Sequence, residues 1–259
     1  MIQTVNVIRY ITPLREGGSL PAIVEADDKT LYVMKFRGAG QGVKALIAEL
    51  IGGELARRLG FRIPKIVFGE LDESFGRIEG DEEIQDLLKA STGLNLALCY
   101  LPESITFDPI INKVDPLLAS KIVWFDSFLL NVDRTSRNTN MLIWKGDLWL
   151  IDHGASLYFH HNWEAMRNGD VIVANGARTF PQIQKHVLIR QATKLKEAGD
   201  EFKSTLDRSV FAEIVALIPE KWLNTDKAFS STDENRKAYV DFMESRLNYS
   251  DQFIKEASI

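Results

Sequence analysis

Cysteine is nearly missing from this chain: Cys99 stands alone among 259 residues. An intramolecular disulfide is therefore excluded, and a reducing compartment is the simpler expectation. A basic surplus is missing too, since 31 Lys and Arg face 36 Asp and Glu for a formal net charge of −5. With no positive balance to neutralise phosphates, direct nucleic-acid binding is not expected. No apolar run approaches the length of a membrane span, and the opening MIQTVNVIRY carries no charged-then-apolar leader. Membrane insertion is accordingly not expected, and a cytoplasmic location is. His160 and His161 have no Cys or further His at ligand spacing, which argues against a zinc-type site. Repeats, low-complexity tracts and long linkers are lacking as well.

What remains is ordinary soluble composition, with enough length for one large domain or two lobes sharing a cleft. Residues 5–12 (VNVIRYIT), 20–25 (LPAIVE) and 31–36 (LYVMKF) are β-rich and read as an antiparallel meander. Its first connection carries Gly17, Gly18 and Ser19, a tip whose backbone can come close to an anion. Lys35 sits on the third run between Met34 and Phe36, so alternation turns it away from their face; alone it reads as a solvated strand lysine. Residues 42–59 form the clearest helix, with Val43, Leu46, Ile47, Leu50, Ile51, Leu55 and Leu59 at three- and four-residue steps. Gly60 and Pro64 end it. Glu54 has Arg57 and Arg58 one turn on, and a surface ion pair accounts for it. Glu49 has no such partner, and Gly52 and Gly53 beside it leave room for another element. A strand lysine followed by a helix glutamate is the pair that holds nucleotide phosphates in register.

Residues 65–71 and 94–100 read as two further strands around an acidic segment at 81–86. Leu101-Pro102 breaks the second, and a boundary between lobes is placed there, giving 1–102 and 103–259. A buried helix over 116–131 carries Asp126, a carboxylate that needs a partner, and Arg134 in the next loop is the candidate.

The centre of the chain is residues 126–154, DSFLLNVDRTSRNTNMLIWKGDLWLIDHG. Asp133 is followed five residues later by Asn138. Residues 141–144 and 148–152 form a hairpin about Lys145-Gly146-Asp147, bringing Asp152 back toward Asn138. An Asp, an Asn and a second Asp delivered this way are the proton-accepting and Mg²⁺-holding set of a phosphoryl-transfer enzyme. Read as turn chemistry, the same residues are a polar loop with caps. Beyond residue 181 the chain reads as largely helical, in three or more helices packed beneath this loop.

The order of parts, Gly-containing hairpin, strand Lys, helix Glu, connector, Asp-x4-Asn and Asp-x-Gly, resembles the protein-kinase-like fold. The run AELIGGELARRLGFRIP is similar to the N-lobe helix of the HipA-like kinases, the family of the bacterial serine/threonine kinase toxins. The loop NVDRTSRNTNML also resembles the type II phosphatidylinositol 4-kinases. The resemblance implies an α+β, two-lobed fold with a β-rich N-lobe and a mainly helical C-lobe. It implies that Asp133 orients and deprotonates an acceptor hydroxyl and that Asn138 and Asp152 hold Mg²⁺. Lys35, paired with Glu49, would contact the α- and β-phosphates of ATP, with Gly17, Gly18 and Ser19 covering them. Cys99 and Leu101 would border the adenine. Two departures stand out: the chain is shorter than the full-length toxin kinases, and His153 replaces the aromatic residue usual after the metal-binding Asp of protein kinases.

The leading expectation is thus an ATP- and Mg²⁺-dependent serine/threonine protein kinase. A small-molecule or lipid kinase is the second enzymatic reading, with no basic amphipathic segment to favour the lipid. A nucleotide-binding pseudokinase acting as an interaction module is the alternative of another class. Its sequence sign would be loss of Lys35, Asp133, Asn138 or Asp152, and all four are present. The acceptor, a protein or a small molecule, is not named by these residues.

Overall fold

The computed structural model describes residues 1–15, 19–166 and 169–257. Gly17 and Gly18 lie outside the described residues. Five strands, β1 (Thr4–Pro13), β2 (Ala22–Ala26), β3 (Leu31–Lys35), β4 (Ile66–Leu71) and β5 (Gly93–Cys99), close into a barrel in the order β1-β2-β3-β5-β4. The meander read in the sequence is present, with β2 antiparallel to both β1 and β3. A parallel pairing of β1 with β4 closes the ring.

Alternation sorts the barrel's side chains. Val5, Val7, Val24, Tyr32, Met34, Val67 and Ala97 fill the interior, together with Ile84 and Leu88 of a covering helix. Ile66, Phe68, Leu94, Leu96 and Leu98 point outward, yet they too are buried, under helix α1 (Val43–Arg58) and the C-terminal helices. The outer face of the barrel is therefore an internal layer. This is why Lys35, which alternation sends outward, is not the solvated lysine its neighbours imply: its side chain is only 16% exposed.

Helix α1 ends in a Schellman motif, with Gly60 N–H donating to Arg57 O and Phe61 N–H to Ala56 O. Glu54 pairs with Arg57 as expected, whereas Arg58 reaches Glu213 of a distant helix. Short helix α2 (Phe75–Ile78) and helix α3 (Glu82–Ala90) connect β4 to β5. The acidic segment is the start of α3, where Asp81 caps the backbone N–H groups of Glu83 and Ile84.

Helix α4 (Pro116–Leu129) runs through the middle of the C-terminal region. Asp115 caps it with Pro116 in the first turn, and Leu130 in the left-handed region (φ 57°) ends it. Ten of its residues are buried, among them Asp126. Strand β6 (Ile105–Thr106) joins the hairpin β7 (Met141–Trp144) and β8 (Asp147–Leu150) in a second sheet. The hairpin is tighter than the sequence reading: Lys145 and Gly146 alone make the turn (φ 52° and 85°), and Asp147 already pairs with Trp144. Both central residues at positive φ give the two-residue turn whose twist suits a hairpin. Asp147 is thereby placed to bridge Arg62 at 3.0 Å.

The remainder is helical: α5 (Trp163–Met166), α6 (Gly169–Gly176), α7 (Leu195–Thr205), α8 (Arg208–Val215), α9 (Glu220–Leu223), α10 (Thr232–Asn248) and α11 (Ser250–Ala257). One stretch departs from the expected helix. Residues 181–194 form a 3₁₀ turn, Pro181–Lys185, followed by an isolated β-bridge at His186 and further turns before α7 begins. Backbone pairing with the loop around Thr135 competes successfully there against local helical preference. Among the described residues no helix is long and apolar enough to cross a membrane.

Candidate active site

The site is assembled where β3, α1 and the segments on either side of the β7–β8 hairpin meet. Lys35, the last residue of β3, reaches across to α1 and puts Nζ 2.8 Å from Glu49 Oε2 and 2.5 Å from Asp152 Oδ1. Glu49 is fully buried. Its Oε2 also accepts the backbone N–H of His153 at 2.7 Å. Burial alone would raise the Glu49 carboxyl, but the Lys35 ammonium and His153 more than offset it, and it is held well below the usual carboxylate range. Burial would likewise lower Lys35, and the Asp152 and Glu49 carboxylates hold it above its ordinary value.

Two glycines make this approach possible. A Cβ on Gly52 would lie 2.6 Å from His153 Cβ, and one on Gly53 would press on Ile66 Cδ1. The space inferred from the glycine pair is therefore used, by the chain entering the Asp152–Gly154 turn on one side and by β4 on the other. His153 fills its place fully buried, with its ring edge-on to Phe125 at 5.8 Å. Asp152 sits two residues beyond the end of β8, not at its end, in the left-handed region (φ 57°). Its side chain is 44% exposed.

The second group is the loop after α4. Asp133 Oδ2 accepts from Asn138 Nδ2 at 2.7 Å and from Asn140 Nδ2 at 3.2 Å. Its backbone N–H donates to Asn131 Oδ1, and its carbonyl accepts from Thr135 N–H. Asp133 and Asn138 are thus brought together, while Asp152 is bonded to Lys35 instead. The link between the groups is Arg134, buried beneath the loop. Arg134 Nη1 donates to the carbonyl oxygens of Asn140 and of Ile151, the residue before Asp152. Arg134 Nε donates to Asp126 Oδ2 at 2.6 Å, so the partner expected for Asp126 is the one it has.

Asp126 carries more than that pair. Its Oδ1 accepts from Asn131 Nδ2 at 2.9 Å, and its Oδ2 lies 2.8 Å from His186 Nε2. Burial would raise its carboxyl, and the Arg134 guanidinium and His186 hold it well below the ordinary range instead. Asn140 and His186 were not legible in the sequence. Asn140 shows the weak signal of a second amide two residues past Asn138, and His186 shows none at all.

Of the remaining candidates, Ser19 is exposed on the β1–β2 connection, which Leu14 N–H closes onto Pro21 O. Cys99 ends β5 half-buried, and Leu101 is buried just beyond it. A cavity of about 460 Å³, lined by Phe61, Phe107, Leu118, Ile143 and Leu150 among others, includes none of Lys35, Asp133, Asn138 or Asp152. Charged geometry, not cavity size, marks the site.

A closed barrel carrying a Lys–Glu pair, set on a mainly helical region that presents Asp133, Asn138 and Asp152, is a protein-kinase-like fold. The family comparison agrees. The family model described as HipA-like kinase matches residues 7–256, and the chain belongs to that family. The crystal structure of a Helicobacter pylori proinflammatory kinase, CtkA, is similar with a TM-score of 0.58 at 12% identity, covering 100% of this chain and 97% of that one. The Golgi casein kinase with Mn/ADP bound aligns at a TM-score of 0.49 and 11% identity, over 98% of this chain and 73% of that one. A second structure of the Golgi casein kinase gives 0.48 and 13%, over 98% and 72%. No curated protein matches the chain at a significant level.

Proposed function

We propose that this chain is an ATP- and Mg²⁺-dependent phosphotransferase, a HipA-like kinase whose acceptor is a serine or threonine hydroxyl of a protein. The observation that carries the reading is Lys35, bonded at once to Glu49 and Asp152, with Asp133 fixed by two amides a few residues away. The nucleotide would lie between residues 1–102, which contribute Lys35 and Glu49, and residues 103–259, which contribute Asp133, Asn138 and Asp152. Ser19, Cys99 and Leu101 border that space in the proposal.

The donor set fits a hard divalent cation. Asn138 spends its Nδ2 on Asp133, which leaves the carbonyl oxygen Oδ1 as its free donor. Asp152 spends Oδ1 on Lys35 and keeps Oδ2. Among the described residues no group of three or more His, Cys, Asp or Glu forms a metal cage. Mg²⁺ takes one or two protein oxygens and completes its shell with phosphates and water, and Asn138 Oδ1 and Asp152 Oδ2 would be those two. When bound, the cation would offset charge on the transferring phosphoryl group, and ATP would supply that group.

The chain's own residues do the rest. Lys35 Nζ orients phosphate oxygens, and Glu49 keeps it extended from β3 toward them. Asp133 Oδ2 is pinned by Asn138 and Asn140, so Oδ1 is left to accept the hydroxyl proton as the oxygen attacks. Supplying the base from a loop anchored through Arg134 keeps it in register with Asp152. Wild-type protein should convert ATP only with Mg²⁺, and Asp133→Asn should lower kcat at least ~10²-fold while nucleotide affinity holds. Equal, inert behaviour of both forms with nucleotide still bound would instead establish a pseudokinase.

A further inference from the structure

His186 lies 60 residues from Asp126 in the chain, outside every motif that marks the site, yet it is built into its foundations. Its side chain is 2% exposed. Nδ1 accepts the backbone N–H of Leu188 at 3.0 Å, so that nitrogen carries no proton. Nε2, 2.8 Å from Asp126 Oδ2, is then the protonated nitrogen and donates to the carboxylate. The backbone on either side is tied to the same loop: His186 bridges Thr135 in antiparallel fashion, and Val187 N–H donates to Arg134 O at 3.1 Å.

From Asp126 the chain of contacts runs to both groups of the site. Asp126 Oδ2 holds Arg134 Nε, and Arg134 Nη1 holds the carbonyls of Asn140 and Ile151. Asn140 in turn bonds Asp133, and Ile151 leads into Asp152. The inner members are buried, with Asp126 fully inaccessible, Arg134 at 1% and Asn140 at 7%. A carboxylate in that setting has a rotamer only as fixed as its donors make it. Asn131 and Arg134 both belong to the loop being positioned. His186 is the donor that comes from a separate segment, and so it references the loop to the body of the helical region.

We propose that His186 is a positioning residue for phosphotransfer: through Asp126 and Arg134 it fixes the separation of Asp133 from Asp152. It touches neither nucleotide nor acceptor. The inference rests on the functional reading above, and its test separates the two. Two isosteres divide the roles of the ring. His186→Asn keeps a polar atom near the Nδ1 position, able to accept from Leu188, but falls short of Asp126. His186→Gln places an amide N–H near the Nε2 position and restores the donor.

The measurements are kcat and KM for Mg²⁺–ATP consumption, and amide hydrogen exchange at Thr135 and Ile151 with α1 amides as reference. His186→Asn should lower kcat about 10–100-fold with KM for ATP changed less than about twofold, as loss of an orienting outer contact does. It should raise exchange at Thr135 and Ile151 about tenfold or more while α1 amides hold. His186→Gln should recover most of both. Unchanged exchange at the two amides, or exchange that rises equally in α1, overturns the proposal, as does a glutamine variant no better than asparagine. If wild type consumes no ATP, the phosphotransferase reading falls, and the exchange pattern alone decides whether His186 positions the loop.

Discussion

Removing the ammonium of Lys35 should unfold the protein far more readily than an exposed lysine would. In Lys35→Met the flexible methionine fills the same channel, but Glu49 is left as a fully buried carboxylate whose remaining partners among the described residues are the His153 N–H on Oε2 and the His153 ring 3.8 Å from Oε1. Stranding one partner of a buried pair costs about 3–5 kcal/mol. The Asp152 bond adds little, because a carboxylate 44% exposed is resolvated when its partner goes, and such a contact is worth at most about 1 kcal/mol. For a chain of this size each kcal/mol moves Tm by about 2–4 °C, so the midpoint should fall by roughly 6–20 °C. Adding Glu49→Leu removes the stranded charge and should return about 1–3 kcal/mol. The assay is thermal unfolding followed by circular dichroism on wild type, single and double variants, near pH 7.

The same pair sets a pH signature. Glu49 titrates lower in the folded state than unfolded, so its contribution is present above the unfolded value of about 4 and is lost as pH falls through the folded one. Lys35 titrates higher in the folded state, so its contribution is complete below about 10 and is lost as pH rises through the folded value. The gap between wild type and Lys35→Met should therefore be widest between about pH 5 and 10 and narrow in acid, where the stranded Glu49 protonates first in the variant. A single variant within about 2 °C of wild type, or a double variant less stable than the single, would mean that losing Lys35 does not strand a buried charge on Glu49.

The two glycines of α1 should respond in opposite ways to alanine. Gly52→Ala drives a methyl against His153 Cβ, close to backbone, and should cost about 1–3 kcal/mol despite the helix propensity gained, with loss of nucleotide-dependent activity. Gly53→Ala meets only the far end of Ile66, which can turn aside, so the roughly 1 kcal/mol of helix propensity should leave it neutral or slightly stabilised. Denaturant midpoints order the two, and a Gly53→Ala variant as damaged as Gly52→Ala would contradict the contact picture.

What could be read in advance followed the range of the interactions concerned. Strands β1 to β5, α1 and α4 were legible because alternation, helical spacing and capping residues act over a few positions. Asp133 and Asn138 were legible by their spacing, and Glu49 by the glycines beside it. The burial of Lys35 was not, since it depends on α1 covering the outer face of the barrel. β8 ends two residues before Asp152, which stands beyond the strand in the left-handed region; aspartate tolerates that conformation, but the apolar run up to Ile151 gives no local mark of where pairing stops. His186 was invisible for the same reason as the failed helix over 181–194: HVLIR looks locally helical, and its partners Asp126 and Thr135 lie more than fifty residues away.

A crystal structure with Mg²⁺ and a non-hydrolysable ATP analogue shows whether Asn138 and Asp152 hold the metal and Lys35 the phosphates. The expected result is a metal on Asn138 Oδ1 and Asp152 Oδ2, phosphate oxygens within hydrogen-bond reach of Lys35 Nζ, and Asp133 Oδ1 facing open space beyond the terminal phosphate. A nucleotide bound elsewhere, or a metal that avoids both Asn138 and Asp152, would contradict it.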